Sequence, residues 1–218
     1  MTLVRPPIRT TKLRQGRVTP GQRAALDRLW PALGVEVDGR PLDLLALFGR
    51  TAPVVLEIGS GMGEATAALA ALEPDRDVLA CELHLPGQGS LLRRADEAGL
   101  TNVRVVAGDG VVVLRDMLGP GSLDAVRVFF PDPWPKPKHW KRRLVDDAFA
   151  ALVADRLRPG GVLHVATDWA PYAAQVRRVL HACPDLAPAP PPPRALTRFE
   201  RQGVAAGRPA HDVAAVRR

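Results

Sequence analysis

Cysteine is scarce in this sequence. Only two occur among 218 residues, Cys81 and Cys183, and neither belongs to a CxxC motif or lies near a pair of histidines. A disulfide framework and a zinc site are therefore not supported, and no metal is expected. Cys81 is expected to be a small buried apolar residue and not a nucleophile.

Long apolar runs are also lacking. No stretch approaches the length of a membrane-spanning helix, and residues 1–22 contain no hydrophobic segment of the kind found in signal peptides. Hydrophobic residues nevertheless make up 46% of the chain, which suits a buried core. We therefore expect a cytoplasmic globular protein with no membrane partner.

Acidic residues are missing from the N-terminal segment. Between residues 5 and 23 there are six cations and no acid, and the whole chain has a net charge of +7 and a pI near 10.4. A like-charge segment is either a solvated tail or an arm that contacts a polyanion, and nucleic acid is the favoured partner. Arg14 and Arg17 are the candidate contacts. We predict that residues 1–40 form this basic arm and one short helix, which begins at Thr19 and Pro20.

After residue 40, short apolar runs alternate with segments of helical length. This alternation predicts a single α/β domain over residues 41–218 with a mostly parallel sheet. Ligands bind such sheets beyond the carboxyl ends of the strands. The predicted strands are 54–58, 78–82, 103–106, 125–130 and 162–166. The predicted helices are 20–30, 42–48, 64–72, 91–98, 111–118, 144–157 and 172–181.

The C-terminal part is interrupted by prolines. Residues 184–193 are dominated by proline and alanine and are predicted to form an extended connector without regular structure. The segment after it, residues 194–218, is predicted to add one or two edge strands.

A glycine-rich turn follows the first strand of the domain. Gly59, Gly61 and Gly63 lie between this strand and the next helix, where glycine permits a tight turn and a close approach of the backbone to a ligand. A purely structural turn would use the same residues. Glu57 directly precedes the turn, where a carboxylate would repel a pyrophosphate and attract an ammonium group. This arrangement favours S-adenosylmethionine over a dinucleotide.

Two further acids end the next two strands. Glu82 lies about twenty residues after the glycines, where an acid can accept hydrogen bonds from ribose hydroxyls. Asp109 lies between two glycines and could accept the exocyclic amine of adenine. Either acid alone could be a helix cap or a solvated loop residue. Acids at three successive strand ends together resemble the nucleoside-binding rim of Rossmann-like methyltransferases.

The fourth strand is followed by the sequence Phe-Phe-Pro-Asp-Pro-Trp, in which two prolines restrict the backbone around Asp132. A rigid turn would account for the prolines, but not for Trp134 or for the cations that follow. Trp134 is either a packing residue or a stacking face for a base. A cationic loop beside a strand-end acid favours a nucleic-acid site. Its candidate phosphate contacts are Lys136, Lys138, Lys141, Arg142 and Arg143.

Taken in order along the chain, these motifs resemble those of bacterial tRNA (guanine-N7-)-methyltransferases. The resemblance implies a Rossmann-like class I methyltransferase fold, a three-layer α/β/α sandwich, with S-adenosylmethionine as cofactor and tRNA as partner. It also implies methyl transfer to N7 of the guanine at position 46 in the variable loop of tRNA, by a monomer or a homodimer. Besides the glycine turn and the strand-end acids, the matching segments are 16–19, 47–50, 129–134, 141–143 and 166–169. The matching single residues are Gln22, His84, Pro86, Gly87, Tyr172, Thr197, Phe199 and Glu200.

The resemblance further implies roles for individual residues. Asp132 would be the catalytic residue and would also contact the cofactor. The other cofactor-binding residues would be Glu57, Gly59, Gly61, Gly63, Glu82 and Asp109. The substrate-binding residues would be Lys136, Asp168, Thr197, Arg198, Phe199 and Glu200, within a C-terminal segment that contacts the RNA.

The chain departs from the family pattern at two places. Pro135 and Pro137 replace more polar or basic residues, and Trp140 stands where a small polar residue or histidine is common. These changes are expected to stiffen the loop. Residues 201–211 also differ from the usual pattern, which affects the expected guanine contacts more than the cofactor site.

Two other interpretations stay open. Asp132, Pro133 and Trp134 resemble the Asp-Pro-Pro-aromatic motif of methyltransferases that act on the amino groups of adenine or cytosine, although the second proline is missing. An RNA-binding module that kept the fold and lost turnover is the non-enzymatic alternative, because the C-terminal segment is altered.

Overall fold

The computed structural model describes residues 16–218. The predicted arm contact Arg14 lies outside the described residues. Within the described range the chain forms one eight-stranded sheet covered by helices on both faces, which confirms the predicted α/β sandwich. The strands are β1 (Gly34–Glu36), β2 (Val54–Ile58), β3 (Asp77–Glu82), β4 (Val103–Ala107), β5 (Leu123–Phe129), β6 (Leu157–Thr167), β7 (Leu186–Ala189) and β8 (His211–Arg217).

The helices follow the strands in alternation, as the apolar pattern predicted. A π-helical turn (Val113–Met117) extends α5, and a 3-10 helix spans Pro137–Arg142. The α-helices are α1 (Pro20–Leu33), α2 (Leu44–Phe48), α3 (Glu64–Leu72), α4 (Leu85–Glu97), α5 (Gly110–Val112), α6 (Asp147–Arg156), α7 (Ala170–Ala182) and α8 (Arg198–Ala205).

The order of strands across the sheet is β1-β4-β3-β2-β5-β6-β8-β7. Strands β1 to β6 run parallel, whereas β8 runs antiparallel to both β6 and β7. The chain winds outward from β2 to β4 in one direction and then returns to place β5 on the other side of β2. A doubly wound sheet binds ligands at this reversal, beyond the carboxyl ends of its strands.

Two hydrophobic clusters fill the space between the sheet and its helices. Because side chains alternate along a strand, Val55 and Leu56 of β2 point to opposite faces. Val55 packs in a cluster with residues of α1, α3 and α4, and Leu56 packs in a cluster with residues of the π-helical turn, α6 and α7. The core therefore holds the carboxyl end of β2 between two helical layers.

Several predicted boundaries are wrong by a few residues. Helix α4 begins at Leu85, six residues before the predicted start, because Pro86 occupies its first turn and not a preceding loop. Strand β6 begins at Leu157, where Pro159 to Gly161 form an irregular part of the strand and not the end of a helix. Strand β1 was not predicted, since three residues carry too short a pattern.

The prediction of an unstructured proline-rich connector is wrong for part of its length. Residues Leu186–Ala189 form β7, in which Pro188 is the Cα partner of Ala215 in β8. Strand β7 is at the edge of the sheet, the position at which a residue without an N–H is tolerated in a ladder.

The prediction for the C-terminal segment is only partly correct. Strand β8 forms as expected, but it lies inside the sheet between β6 and β7 and not at the edge. Residues 198–205, predicted as strand or loop, form α8. The Thr197 hydroxyl accepts from the Glu200 backbone N–H at 3.0 Å, which is the N-cap interaction of a Thr-x-x-Glu start.

Gly63 offers a test of how the glycine turn packs. Its φ of 73° favours glycine, and an added Cβ would come within 2.6 Å of the Leu91 Cβ in α4. We expect Gly63→Ala to lower the free energy of unfolding by about 2–5 kcal/mol, which combines backbone strain with steric overlap. Urea denaturation would measure the loss.

The matched control is Gly99→Ala. Gly99 has a φ of 62°, but an added Cβ would meet nothing within 4 Å. This variant should lose only the strain, about 1–2 kcal/mol. Equal losses in the two variants would show that contact with α4 does not constrain the turn.

Candidate functional site

A cleft of about 500 Å³ opens at the carboxyl ends of β2, β3, β4 and β5. The parallel register brings these strand ends to one edge of the sheet, so that acids far apart in sequence face one space. All four acids predicted for the cofactor site, Glu57, Glu82, Asp109 and Asp132, line the cleft. Other lining residues include Ser60, Met62, Glu64, His84, Phe129, Phe130, Leu144, Thr197 and Gln202.

The glycine turn forms one wall of the cleft. Gly59 and Gly61 have φ values of 83° and 58°, a region that residues with a Cβ rarely adopt. The Gly61 N–H donates to Glu82 Oε2 at 2.7 Å, so the turn is fastened to the end of β3. The backbone of the turn therefore faces the cleft in a fixed position, with no side chain on either glycine.

Glu57 is a buried carboxylate at the end of the central strand β2. Its side chain is almost inaccessible, and Oε2 has no hydrogen-bond partner among the described residues. Burial raises the pKa of Glu57 to about 6, against weaker opposing effects of Thr66 and Arg127, while Glu82 raises it further. A buried acceptor beside a cleft is suited to a ligand that brings a cation or a donor.

Glu82 and Asp109 are held by backbone N–H groups. Glu82 Oε1 accepts from the His84 N–H at 2.8 Å, and its Oε2 accepts from the glycine turn. Asp109 Oδ1 caps α5 by accepting from the Val111 N–H at 2.9 Å. Both acids are only half-buried, so they can still accept from ligand hydroxyl or amino groups.

Cys81 lines the same cleft at the end of β3. Its side chain is buried, and burial together with the nearby acids raises the pKa of the thiol. A thiol with a raised pKa is a poor nucleophile, which agrees with the predicted packing role.

The backbone around Asp132 is strained on both sides. Phe130 and Trp134 have φ values of 54° and 43°, and they are the non-glycine residues with positive φ in the described chain. The Phe130 N–H donates to the Ala166 carbonyl at 2.8 Å, which ties the segment to β6. Such strain persists only where the surroundings hold it, and it is frequent at functional sites.

Two residues of the basic loop are buried, one of which the sequence left open and the other of which it predicted to be a phosphate contact. Trp134 is 7% exposed, with the Arg142 guanidinium 4.2 Å from its ring centroid, so it is a packing residue and not an open stacking face. Arg143 is 4% exposed and donates to the Pro133 carbonyl at 2.9 Å and to Gln175 Oε1 at 2.6 Å. Its guanidinium is therefore not accessible to a phosphate in this structure.

The other cations of the loop are placed differently. Lys136, Lys138 and Lys141 are exposed on or beside the 3-10 helix. Arg142 is partly buried next to the Trp134 ring. The three lysines thus form an accessible cationic surface that begins directly after Asp132.

The N-terminal segment approaches the cleft at His84. A Cβ added to Gly16 would come within 2.5 Å of His84 Nε2, so a larger residue here would require the His84 ring to move. His84 Nε2 is buried and has no hydrogen-bond partner among residues 16–218. Arg17, the next residue, is exposed, which places one predicted arm contact near the mouth of the cleft.

A buried ionic cluster docks α8 beside the cleft. Arg194 is 7% exposed at its side chain and forms ion pairs with Glu200 and with Asp212 of β8. Asp212 Oδ1 also lies 2.7 Å from His164 Nε2, and burial lowers the pKa of this histidine, so Asp212 pairs with a neutral ring near pH 7. The Arg194 guanidinium lies 5.6 Å from the Phe129 ring centroid, which links the cluster to the end of β5.

The residues predicted to bind substrate are placed in different surroundings. Thr197 lines the cleft and caps α8, whereas Glu200 is buried by Arg194. Asp168 accepts from Arg208 Nε at 3.0 Å and is not among the cleft-lining residues of the described chain. Lys136 is exposed after Asp132, and the side chains of Arg198 and Phe199 lie outside the described part.

Sequence reasoning missed several residues of this site. Gln202 lines the cleft from α8, and Arg201 of the same helix forms an ion pair with Glu64 at 2.7 Å across to α3. No local signal marks Gln202, because its position depends on the docking of α8. Arg194 also had no assigned role, since its partner Asp212 is distant in sequence.

Two kinds of feature are not found among the described residues. No group of three or more His, Cys, Asp and Glu residues in the described range has the geometry to hold a metal ion. The helices within that range include none of the length and apolarity needed to span a bilayer.

The buried charge of Glu57 should make stability depend on pH. The ordinary pKa of a glutamate is 4.5, and burial raises the folded value to about 6, so the folded state binds more protons between these values. Stability therefore falls as the pH rises through this window, by about 2 kcal/mol once Glu57 is fully ionised. We expect Glu57→Gln to be more stable than the parent chain at pH 7.5 by this amount.

Urea denaturation at pH 7.5 and at pH 4.5 checks this expectation, because the difference should largely vanish at the lower pH. Glu97→Gln, at an exposed position, is the matched control and should change little. A Glu57→Gln chain that is less stable at pH 7.5 would show that hydrogen bonds or Arg127 outweigh the burial of this charge.

The fold and site can be compared with known proteins. A family model described as "Putative methyltransferase" matches residues 51–213. The aminoglycoside resistance methyltransferase NpmB1 has a TM-score of 0.55 at 18% identity, over 78% of this chain and 90% of its own. An rRNA methylase from Streptococcus thermophilus has a TM-score of 0.52 at 15% identity, over 93% and 99%. At these identities the likeness to solved structures concerns the fold.

Sequence identity is much higher with a group of proteins that share one name. The tRNA (guanine-N(7)-)-methyltransferase of Streptomyces avermitilis is 55% identical over 214 residues, which covers 94% of this chain and 74% of that protein. The protein of the same name from Nitrosomonas eutropha is 47% identical over 215 residues, which covers 95% and 96%. Because these relatives are about half identical over nearly the whole chain, this chain belongs to the tRNA (guanine-N(7)-)-methyltransferase family.

Proposed function

We propose that this chain transfers a methyl group from S-adenosylmethionine to N7 of a guanine in tRNA. The observation that carries the proposal is one continuous cleft that joins the glycine turn and Glu57 to Asp132, where an exposed cationic loop begins. The proposed cofactor-binding residues and the proposed RNA surface therefore meet at the carboxylate of Asp132. The names of the relatives in the tRNA (guanine-N(7)-)-methyltransferase family supply the base and atom.

The residues of the cleft fit this cofactor. Glu57 Oε2, buried without a partner among the described residues, is suited to the ammonium group of a methionyl moiety, directly or through water. Glu82 is suited to ribose hydroxyls, and Asp109 to the amine of adenine. The glycine turn lets the backbone approach the ligand closely. When bound, S-adenosylmethionine supplies an activated methyl group that the in-plane lone pair of guanine N7 can accept by direct displacement.

Positioning is the main catalytic task, because guanine N7 needs no deprotonation before it reacts. Asp132 is the proposed catalytic residue. Its carboxylate would orient the guanine through the N1 and N2 donors, or offset the positive charge that develops on the purine. The strained backbone at Phe130 and Trp134 keeps this carboxylate in the cleft.

The proposed RNA surface surrounds the mouth of the cleft. Lys136, Lys138 and Lys141 would contact phosphates on one side, and Arg17 on another. Thr197 would contact the guanine side of the cleft, where it is exposed to the cavity. Asp168 would act from beside α8, to which Arg208 connects it.

Three finer points belong to the same proposal. The target guanine would lie in the variable loop of tRNA, where a base can be unstacked at low cost. The enzyme would act in the cytoplasm, as a monomer or a homodimer. None of these points is needed for the chemistry of the cleft.

The activity can be tested with labelled S-adenosylmethionine and bulk tRNA from cells that lack this modification. We expect the label in N7-methylguanine after digestion of the RNA to nucleosides. Label in N6-methyladenine or N4-methylcytosine would indicate an amino-methyltransferase instead. Cofactor and RNA binding without transfer would indicate an RNA-binding module without turnover.

The role of Asp132 can be separated from RNA binding. We expect Asp132→Asn to lower single-turnover methyl transfer by about 100-fold or more, because a charge that stabilises the reacting purine is removed. The affinity for tRNA should change by less than about threefold, since cations dominate that affinity. Asp116→Asn, an exposed site paired with Arg115, is the matched control. Equal losses in transfer and binding would argue against a catalytic role.

A further inference from the structure

The basic loop between the cleft and α6 carries an unusual tryptophan. Asp132 and Leu144 both line the cleft, so the intervening loop leaves the rim and returns to it. Trp140 is 48% exposed on this loop, within the 3-10 helix. It is not among the residues that line the cleft. A tryptophan exposed to this extent leaves a large aromatic surface available to a partner.

The ring of Trp140 is held in one orientation. Its Nε1–H donates to the Pro135 carbonyl at 3.4 Å, and the Arg143 guanidinium lies 5.0 Å from the ring centroid. Arg143 is itself fixed by the Pro133 carbonyl and by Gln175. The ring therefore rests on a buried cation on one side, while nearly half of the side chain faces solvent.

Two prolines of this loop lie close to Trp140 in sequence and restrict the backbone that carries it. Pro135 supplies the acceptor for the indole N–H, and Pro137 stands at the start of the 3-10 helix that carries Trp140. Prolines at these positions restrict the backbone and reduce the entropy lost when the ring is ordered. The exposed ring therefore stands on a segment of restricted backbone.

The charges around the ring indicate the chemistry of its partner. Lys136, Lys138 and Lys141 are exposed on the same short segment, and residues 133–143 contain no acid. An exposed aromatic face among cations is the arrangement by which proteins bind single-stranded nucleic acid: the rings stack on bases and the cations contact the backbone. A protein partner with an apolar surface would not account for these lysines.

We propose that Trp140 is a stacking platform for an unstacked nucleobase of the RNA substrate. Because Trp140 lies outside the cleft, this base is a neighbour of the methylated guanine and not that guanine. Removing the guanine from its stack leaves a neighbouring base with an uncovered face, and the indole replaces the lost stacking partner. This inference rests on the proposed function, since it assigns a second contact to the same substrate.

The test compares tRNA binding and methyl transfer in four chains: the parent, Trp140→Ala, Trp140→Leu and Trp140→Phe. We expect Trp140→Ala and Trp140→Leu to weaken tRNA binding roughly 5- to 150-fold, the range found for loss of one stacked base. Trp140→Phe should retain most of the affinity. Transfer at saturating tRNA should stay within about threefold of the parent, so the effect appears in KM and not in kcat.

Salt dependence separates stacking from charge. The slope of log affinity against log salt should be unchanged in Trp140→Ala. In Lys138→Ala, the matched control on the same loop, it should decrease by about 0.7–0.9. In the parent, a short oligoribonucleotide should quench tryptophan fluorescence more than an abasic oligomer of equal length, and Trp140→Phe should lose this difference.

The outcomes are distinct from those that test the proposed function. If the parent makes N7-methylguanine but Trp140→Ala and Trp140→Leu bind tRNA as the parent does, the stacking inference is overturned and the proposed function stands. A change of oligomeric state in sedimentation, with unchanged RNA affinity, would also overturn it and indicate a protein contact. If the parent neither binds nor methylates tRNA, the proposed function itself fails.

Discussion

A buried carboxylate, Glu57, stands at the centre of this molecule, and most of the site is arranged around its charge. It ends the strand at which the sheet reverses its winding, with a strand on either side and a helical layer on each face. Burial costs free energy that Arg127 and Thr66 offset only in part, as the raised pKa of the carboxyl indicates. A side chain kept at such a cost is poised for a ligand that neutralises it.

The opposite side of the cleft depends on a second buried charge, Arg194. It joins Glu200 of α8 to Asp212 of β8, so one guanidinium holds together a helix and a strand that are separate in sequence. Because β8 is inserted between β6 and β7, Asp212 also meets His164 in the interior of the sheet. This cluster fixes the position of α8. The position of α8 in turn brings Thr197 and Gln202 to the cleft. The proposed cofactor side and the proposed substrate side of the cleft are thus supported by separate ionic groups.

Asp132 lies where the acidic cleft meets the exposed cationic loop. The residues before it belong to the last strand of the acidic rim, and the residues after it form the cationic surface. Positive φ angles at Phe130 and Trp134 turn the chain sharply at both ends of the Pro-Asp-Pro segment. In the proposed function, a carboxylate at this junction contacts a base that enters from the cationic surface while it faces the cofactor in the cleft.

The sequence allowed prediction of the elements whose signals are local. Strand β2 and helix α3 were predicted at their observed limits, since an apolar run and a glycine turn mark them. Helix α8 was missed because few of its residues are apolar, and its docking depends on Arg194. The burial of Arg143 was also unpredictable, because it depends on Gln175 and on the path of the loop. The four acids that line the cleft were predicted to lie together, because this depends only on the parallel arrangement of their strands.

The charge of Glu57 in the cofactor site can be tested by calorimetry without any methyl transfer. S-adenosylmethionine would be titrated into the full chain at pH 6 in two buffers with different heats of ionisation. With a pKa of about 6 for Glu57, roughly half of the chains carry a proton there that must leave when the ammonium group binds. We expect release of about half a proton per cofactor bound at pH 6, falling to near zero at pH 7, where Glu57 is mostly ionised and the amino group of the cofactor is still mostly protonated. In Glu57→Gln, proton release should be near zero at pH 6 as well. Binding at pH 6 with no proton release would contradict the placement of this carboxylate at the cationic end of the cofactor.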